Sequence, residues 1–525
     1  MSLSLGGFLN KITVIFFFLL FRLLPAQTIQ YLTADRFSYY TLSDWISYAT
    51  SLNITSVDID NDYVYMASMS GGILRYDKYE NHWDFPFTTS SGLRSNHVLE
   101  VVYYPNDGFL YAKTRYGIDV YKTAEKFWRP SLDRFMPPRQ QTTSRDWYDS
   151  QQNRYRFPPL YRPANSELPD FFTPFNLMYH LGGYVYDREN RQFYFTDRIV
   201  DSWRRLWIGT DGLGPMMAEI DHLYLNSMRY SIPAVSPRDI YIENQDLWIG
   251  GLRLNQSPAG IGHWDRDRDE WQYYEAPYLP QLYSDDVLSI NGTSSYIVFA
   301  TMHGISLLDK KKNTWKSFDT RVGLEGDKVL DILPAGHRIY IATEYGLNWL
   351  NLSSMEIEEA PQTDLDNVYI HRLAADSEFV WAATRNGLYQ VNPRTDELKF
   401  ISSRAVLPDY DLRAIDINGS EIWLANQQGI MYWDRATDEW HSFPGLILQA
   451  DIRDITHTNK NTIWFATSQG LLKYDRRQEY WRMYTTDDGL ISNDTYRLDP
   501  EGKKLWITTK EGITAFRWKR KGRLD

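Results

Sequence analysis

The sequence predicts an all-β protein in which a unit of four short strands recurs about every 42 residues, and three observations predict it. The first is an apolar anchor at Tyr65, Tyr111, Trp207, Trp248, Val298, Tyr340, Trp381, Trp423, Trp464 and Trp506, at intervals of 46, 96, 41, 50, 42, 41, 42, 41 and 42 residues. The second is a glycine six residues after the anchor at Gly117, Gly304, Gly346, Gly387, Gly429, Gly470 and Gly512, with Gly71 serving the first copy. The third is an Asp that leads a Trp by six at Asp77/Trp83, Asp265/Trp271, Asp309/Trp315, Asp434/Trp440 and Asp475/Trp481. A fixed period of this length with four strands per unit is the signature of a β-propeller, whose blades bury their faces only by stacking on one another.

The clearest copy is TIWFATSQGLLKYDRRQEYWRMY, residues 462–484. Strand formers fill Ile463–Ala466, Ser468-Gln469-Gly470 supplies turn chemistry, and Leu471–Tyr474 makes the next strand. Asp475 opens a polar turn, and Tyr480–Tyr484 completes the unit. Composition agrees: 15% of the 525 residues are aromatic and 19 are Trp, which suits blades packed through large rings. There is no cysteine, so disulfides, thiolate metal sites and Cys nucleophiles are excluded.

Taken in order, residues 1–26 read as a signal peptide, with Lys11, the apolar run Ile12–Phe21 and a Leu-Leu-Pro-Ala ending that places cleavage near Ala26. No second apolar stretch of spanning length is expected after it. Without Lys11 and Arg22 the balance is 54 Lys+Arg to 67 Asp+Glu, a net charge of −13, which argues against nucleic acid or an anionic bilayer as partner. Residues 27–518 read as the propeller repeats. They open on Asp44-Trp45-Ile46-Ser47-Tyr48, which matches an outer strand, while the copy at Trp506 lacks one after Trp518. The two ends are therefore expected to complete one blade by pairing Asp44–Tyr48 with Gly512–Trp518, which removes both raw edges.

About ten to eleven copies exceed the usual four to eight blades, so two arrangements are consistent with closure: a single large ring, or two rings with one inserted into the other. The even spacing from Trp207 to Trp506 favours the single ring. The long interval from Tyr111 to Trp207 holds a Pro-rich irregular insertion over 130–176, read as a solvated loop or as a lid or partner arm given Trp147, Tyr148, Tyr155, Phe157, Tyr161, Phe171 and Phe172. A degenerate eleventh copy follows, with Leu177 at the anchor position, Gly183, Asp187 and Phe193. Residues 519–525 form a basic tail.

LWIGTDGLG at Leu206–Gly214, LWIGG at Leu247–Gly251 and IWFATSQGLLKYD at Ile463–Asp475 resemble the regulator-type propeller repeat of the periplasmic sensor regions of bacterial hybrid two-component proteins. The resemblance spans about residues 40–518 and recurs in register. It implies recognition of polysaccharide breakdown products and a separate signalling partner, in the periplasm or at the surface of a Gram-negative bacterium. Related propellers resemble surface components of a protein-secretion machinery.

Enzyme signatures are weak. The ten histidines carry no HExxH or comparable ligand spacing, and no Gly-rich phosphate loop precedes a helix. Asp58, Asp60 and Asp62 imitate a calcium loop, but Tyr63 stands at its glycine position, so a strand-to-strand turn is expected. The Asp-to-Trp spacing is loosely similar to the blade motif of quinone-cofactor dehydrogenases, but its Thr-Gly pair is absent, and an Asp capping a hairpin turn accounts for it. No catalytic residue, cofactor or metal is assigned.

The loops between second and third strands open on the same side as the connections between blades, and there the repeats diverge. Candidate ligand contacts on that face are Arg115, Tyr116, His303, Glu344, Tyr345, Arg385, Asn386, Asn426, Gln427, Gln428, Ser468, Gln469, Lys510 and Glu511. Amides, charges and aromatics around an opening suit a polyhydroxylated ligand or a protein segment. The expectation is an exported, non-enzymatic binding module for an oligosaccharide or protein partner, as a sensor or scaffold component; a lyase or hydrolase with a charged pair in the central opening, and a secretion-machinery surface component, are the alternatives.

Overall fold

The computed structural model describes residues 29–32, 36–122, 126–131, 135–139, 162–174, 176–254, 259–359, 365–401, 411–443, 450–520 and 523. Residues 1–26, read above as a signal peptide, and Trp147, Tyr148, Tyr155, Phe157 and Tyr161 of the insertion lie outside them. The described residues form ten sheets, most of them four-stranded meanders. Seven, with strands over 235–274, 287–318, 329–359, 370–401, 414–442, 452–484 and 495–516, are blades 1 to 7. Each packs its inner strand against the next and blade 7 packs back on blade 1, so the seven close a ring.

Closure takes the expected form. Trp45–Ala49 pairs antiparallel with Gly512–Phe516 as the outer strand of blade 7, in the register Trp45↔Phe516 to Ala49↔Gly512. The Trp45 and Phe516 rings stack at 3.8 Å between centroids. Ile29–Gln30 adds a parallel fifth strand to blade 6.

The single large ring does not form. The chain finishes blade 7 at Ala49, leaves for three further sheets over 54–87, 98–130 and 192–227 (sheets A, B and C), and returns at Val235 to begin blade 1. These three lie in the order C, A, B, an arc inserted into the ring. The 50-residue interval from Trp207 to Trp248 is where the chain crosses between units, and the extra length carries Tyr230 and Ile232 into a shared core with Trp83, Trp207 and Trp264. The eleventh copy forms Leu177–His180 and Tyr184–Asp187, but its third strand runs on as the inner strand of sheet C, Gln192–Val200, giving one six-stranded sheet.

The repeats look alike because each position has one job. All ten anchors are buried, and Thr462–Thr467 is buried along its whole length, since a second strand has a blade on either face. The Asp residues cap hairpin turns: Oδ1 of Asp77, Asp265, Asp309 and Asp475 accepts from the N–H groups two and three residues on. The basic residue after that Asp reaches the preceding blade, pairing Arg266 with Glu501, Lys310 with Glu243, Arg435 with Asp376 and Arg476 with Glu421.

Two outcomes follow from this packing. Trp423, fully buried and stacked on Tyr432, should cost about 3–5 kcal/mol when replaced by Ala, whereas exposed Gln427→Ala should stay within about 0.5 kcal/mol of wild type; denaturant titration gives both, and equal losses would contradict the assigned register. Deleting residues 27–50 should speed hydrogen exchange across Ile513–Phe516 in blade 7, because the deletion strips its outer strand; unchanged protection there would contradict closure by this pairing.

Candidate functional site

The turns between second and third strands share one construction. Thr301, Thr343, Thr384, Thr467 and Thr509 end second strands, and each Oγ1 donates to the carbonyl of the glycine three residues later at 2.7–3.0 Å. Those glycines adopt left-handed or neighbouring positive φ in four of the turns, 89° at Gly304 to 158° at Gly346, which a side chain would oppose. The turn backbone also bonds to the residue ahead of the same blade's inner strand: Arg385 N–H donates to Tyr369 O, Ser468 to Asp451 and Lys510 to Asp494, at 2.9–3.0 Å. Turn tips and inner-strand starts therefore share one face of the ring.

On that face His303, Tyr345, Arg385, Asn386, Gln427, Gln428, Gln469, Lys510 and Glu511 are exposed, and Glu344 and Ser468 are half-buried. Asn426 is buried instead: its Oδ1 accepts from the N–H groups of Gln428 and Gly429 and shapes the turn where the other copies use Thr. Arg115 and Tyr116 are exposed on sheet B, so the structure does not bring them to the ring with the others.

At the centre of the ring's turn face lies a cavity of about 220 Å³ that none of those tips lines. Its walls come from the starts of inner strands: Arg238 of blade 1, His371 and Arg372 of blade 4, Arg413 of blade 5, Arg453 of blade 6 and Tyr496 of blade 7, with Leu288, Leu330 and Ile452 as apolar patches. Tyr496 holds two guanidiniums, with Arg238 and Arg453 lying 3.8 and 4.5 Å from its ring centroid. His371 Nε2 lies 2.8 Å from Asp411 Oδ1, and Arg413 Nε donates to Asp411 Oδ2 at 3.1 Å. Burial pulls the His371 pKa below its ordinary value, against the opposing pull of Asp411, so the ring is neutral at pH 7. Burial likewise lowers the pKa values of Arg238 and Arg372.

One residue further along the strands the axis is crossed by Arg497, which lies 3.3 Å from Asp239, 2.6 Å from Asp331 and 3.3 Å from Asp454. Burial opposes the Arg497 charge, but the three carboxylates outweigh it and hold its pKa well above the usual arginine value. This cluster lies one residue further along the inner strands than Arg238, Leu330, Arg453 and Tyr496 of the cavity lining, which is called the well below. Still further along, Asp499 has its pKa pushed up to about 7 by burial and by Asp239, Glu501 and Asp454.

The insertion performs the matching role in sheets A to C. Arg162 Nη2 pairs with Asp58 at 3.0 Å and Nη1 with Asp197 at 2.9 Å; Arg139 pairs with Asp197 and Glu100 at 2.9 and 2.8 Å. Its described flanks are thus drawn inward to the inner strands, and burial pushes the Asp58 pKa up to about 6 even so. Asp60, read as part of a calcium-like run, caps a turn through Oδ1 to the N–H groups of Asp62 and Tyr63. No group of three metal-ligating side chains occurs among the described residues.

The cationic lining was not read from the sequence, yet its signal is there. An arginine precedes the anchor by nine to eleven residues in five blades, at Arg238, Arg372, Arg413, Arg453 and Arg497.

No family model matches the chain, and no curated protein does. Similar solved structures include the extracellular domain of the putative hybrid two-component system BT4673 from B. thetaiotaomicron, 14% identical over 90% of this chain and 71% of that one, with a TM-score of 0.46. PorZ, a surface component of the type-IX secretion system of Porphyromonas gingivalis, is 13% identical over 89% of this chain and 74% of that one, with a TM-score of 0.47. Virginiamycin B lyase from Staphylococcus aureus is 12% identical over 54% of this chain and 94% of that one, with a TM-score of 0.44. Among the described residues no helix is long and apolar enough to cross a membrane.

The Asp499 carboxyl sets a pH dependence. Its folded pKa lies above the ordinary value of about 4, so the native state keeps a proton that the unfolded chain releases, and this contribution to stability is present at low pH and lost as pH rises through about 7. Asp499→Asn should therefore flatten the fall in stability between about pH 4 and 7, measured by denaturant titration at each pH; parallel profiles for variant and wild type would refute it.

Proposed function

We propose that this protein is an exported, non-enzymatic propeller that binds an oligosaccharide or a protein partner at the turn face of its seven-bladed ring. It would act as a sensor or scaffold component in the periplasm or at the cell surface. The observation that carries this reading is the axial well, on the face where the repeats diverge and walled by polar groups that converge from five blades. The exposed tips from His303 to Glu511 surround it and supply a second, wider ring of contacts.

A lyase or hydrolase has one observation in its favour. His371, paired with Asp411, and Tyr496 both line the well, an imidazole and a phenol of the kind proton transfer uses. The two readings separate when the full chain is incubated with a panel of oligosaccharides and both the melting curve and the recovered ligand are measured. Binding alone should stabilise the fold by about 2.7 kcal/mol at a 100-fold excess over Kd, return the ligand unchanged and weaken in Arg413→Gln. New products made by wild type and not by His371→Ala would overturn the non-enzymatic reading.

A further inference from the structure

We infer that the axial well is an anion subsite that takes the carboxylate of an acidic sugar, a uronic-acid residue at the end of an oligosaccharide. The inference rests on the binding reading above and names the ligand class of that same site.

Charge is the first ground. Arginines from four blades face the well and no carboxylate is among its lining residues; the nearest cluster of carboxylates, Asp239, Asp331 and Asp454, lies one residue further along the strands and is held by Arg497. Two of the guanidiniums are already answered, Arg413 by Asp411 and Arg453 by Asp494 behind the wall. Arg238 has no carboxylate within 4.0 Å among the described residues, and its contact is the Tyr496 ring. Arg372 reaches only Asp331, at 4.0 Å, and that carboxylate is already held by Arg497 at 2.6 Å. The Nε atoms of Arg238 and Arg372 are buried and have no hydrogen-bond partner. Removing a guanidinium from water without a counter-charge is costly, so two that face one space from blades 1 and 4 mark the place of an anion that comes from outside.

Shape selects within the anions. Planar guanidinium forks match carboxylate and phosphate oxygens in pairs. The volume of about 220 Å³ lies below the roughly 300–1,000 Å³ of drug-sized sites, so the well holds one ring and not a chain. Leu288, Leu330 and Ile452 offer apolar area to ring carbons, while Tyr496, His371 and the arginines offer partners to hydroxyls. An acidic peptide is disfavoured because strand addition needs free edge N–H groups, and here those of Ile290, Leu373 and Leu498 already donate to Asp239, Asp331 and Asp454 at 2.8–2.9 Å.

Calorimetric titration of the full chain tests this with galacturonate and glucuronate trimers, their methyl esters, inorganic phosphate and a hexaglutamate peptide. The acid trimers should bind at least about tenfold tighter than the esters, and more weakly as salt rises. Arg238→Gln with Arg372→Gln should abolish that preference. Arg453→Lys, which keeps the charge but not the fork, should weaken it while circular dichroism stays unchanged, so the test survives if the double variant fails to fold. Equal affinity for acids and esters would overturn the anion inference while leaving the binding reading intact. Tighter binding of phosphate or the peptide, or no binding of any trimer, would overturn the uronate assignment.

Discussion

The constraint on which this structure depends is the free edge of the strand nearest each axis. An inner strand is paired on one side only, and the N–H groups on its other side are enclosed by neighbouring blades, where leaving them unpaired is expensive. The chain answers with a side chain from the preceding blade. Asp239 accepts from Ile290 N–H, Asp331 from Leu373 and Asp454 from Leu498. In the inserted sheets Asp58 accepts from Tyr103 and Asp197 from Val57. Most of these carboxylates sit at a β-bulge, as between Pro237 and Asp239 or between Ile452 and Asp454, which turns a residue of the strand toward its neighbour. Close approach of the blades also explains the Gly or Ala two residues after eight of the ten anchors: a Cβ on Gly250 would lie 2.6 Å from that of Val287 in the next blade.

Carboxylates gathered in this way need cations, and both units supply them on the axis. The ring uses Arg497 from its closing blade; the inserted arc uses Arg139 and Arg162 from a segment that the sequence presents as an irregular excursion. Buried ion clusters of this kind contribute less to stability than to fixing one arrangement over its alternatives, since desolvation offsets most of the attraction. Here the arrangement fixed is a layered axis. The carboxylates Asp239, Asp331 and Asp454 are matched by Arg497, and the residues one step toward the turn face line the well with arginines from four blades.

The features legible in the sequence were those that every blade repeats. Anchor burial, the Asp cap and the pairing of Trp45 with Phe516 follow from packing rules that act on each copy alike, so the period records them. What the period hides is whatever differs between equal-looking copies. The boundary between ring and arc shows only as eight or nine extra residues before Trp248, because crossing from one unit to the other needs little chain when Tyr230 stays packed on Trp83, 5.3 Å between ring centroids. Turn tips such as Gln427 drew attention by varying, but exposure permits variation whether or not a ligand is present. The arginines of the well sit at or just before the starts of inner strands, and only the ring geometry shows that four of them face one space.

The seam that closes the ring is also part of that space. Blades 7 and 1 meet through the bidentate pair of Arg266 with Glu501, at 2.8–2.9 Å, and through Arg238 lying on the Tyr496 ring. The first contact is on the side of the hairpin turns; the second is the wall of the well. The outer strand that completes blade 7 leads directly into the inserted arc, whose core includes Tyr48 of that strand and Trp264 of blade 1, in edge contact at 4.9 Å. Ring closure, docking of the arc and the cationic wall therefore meet at one junction between two blades. The chain can give Trp45–Ala49 to blade 7 before building the sheets of arc and ring because every one of these contacts then holds the same seam shut.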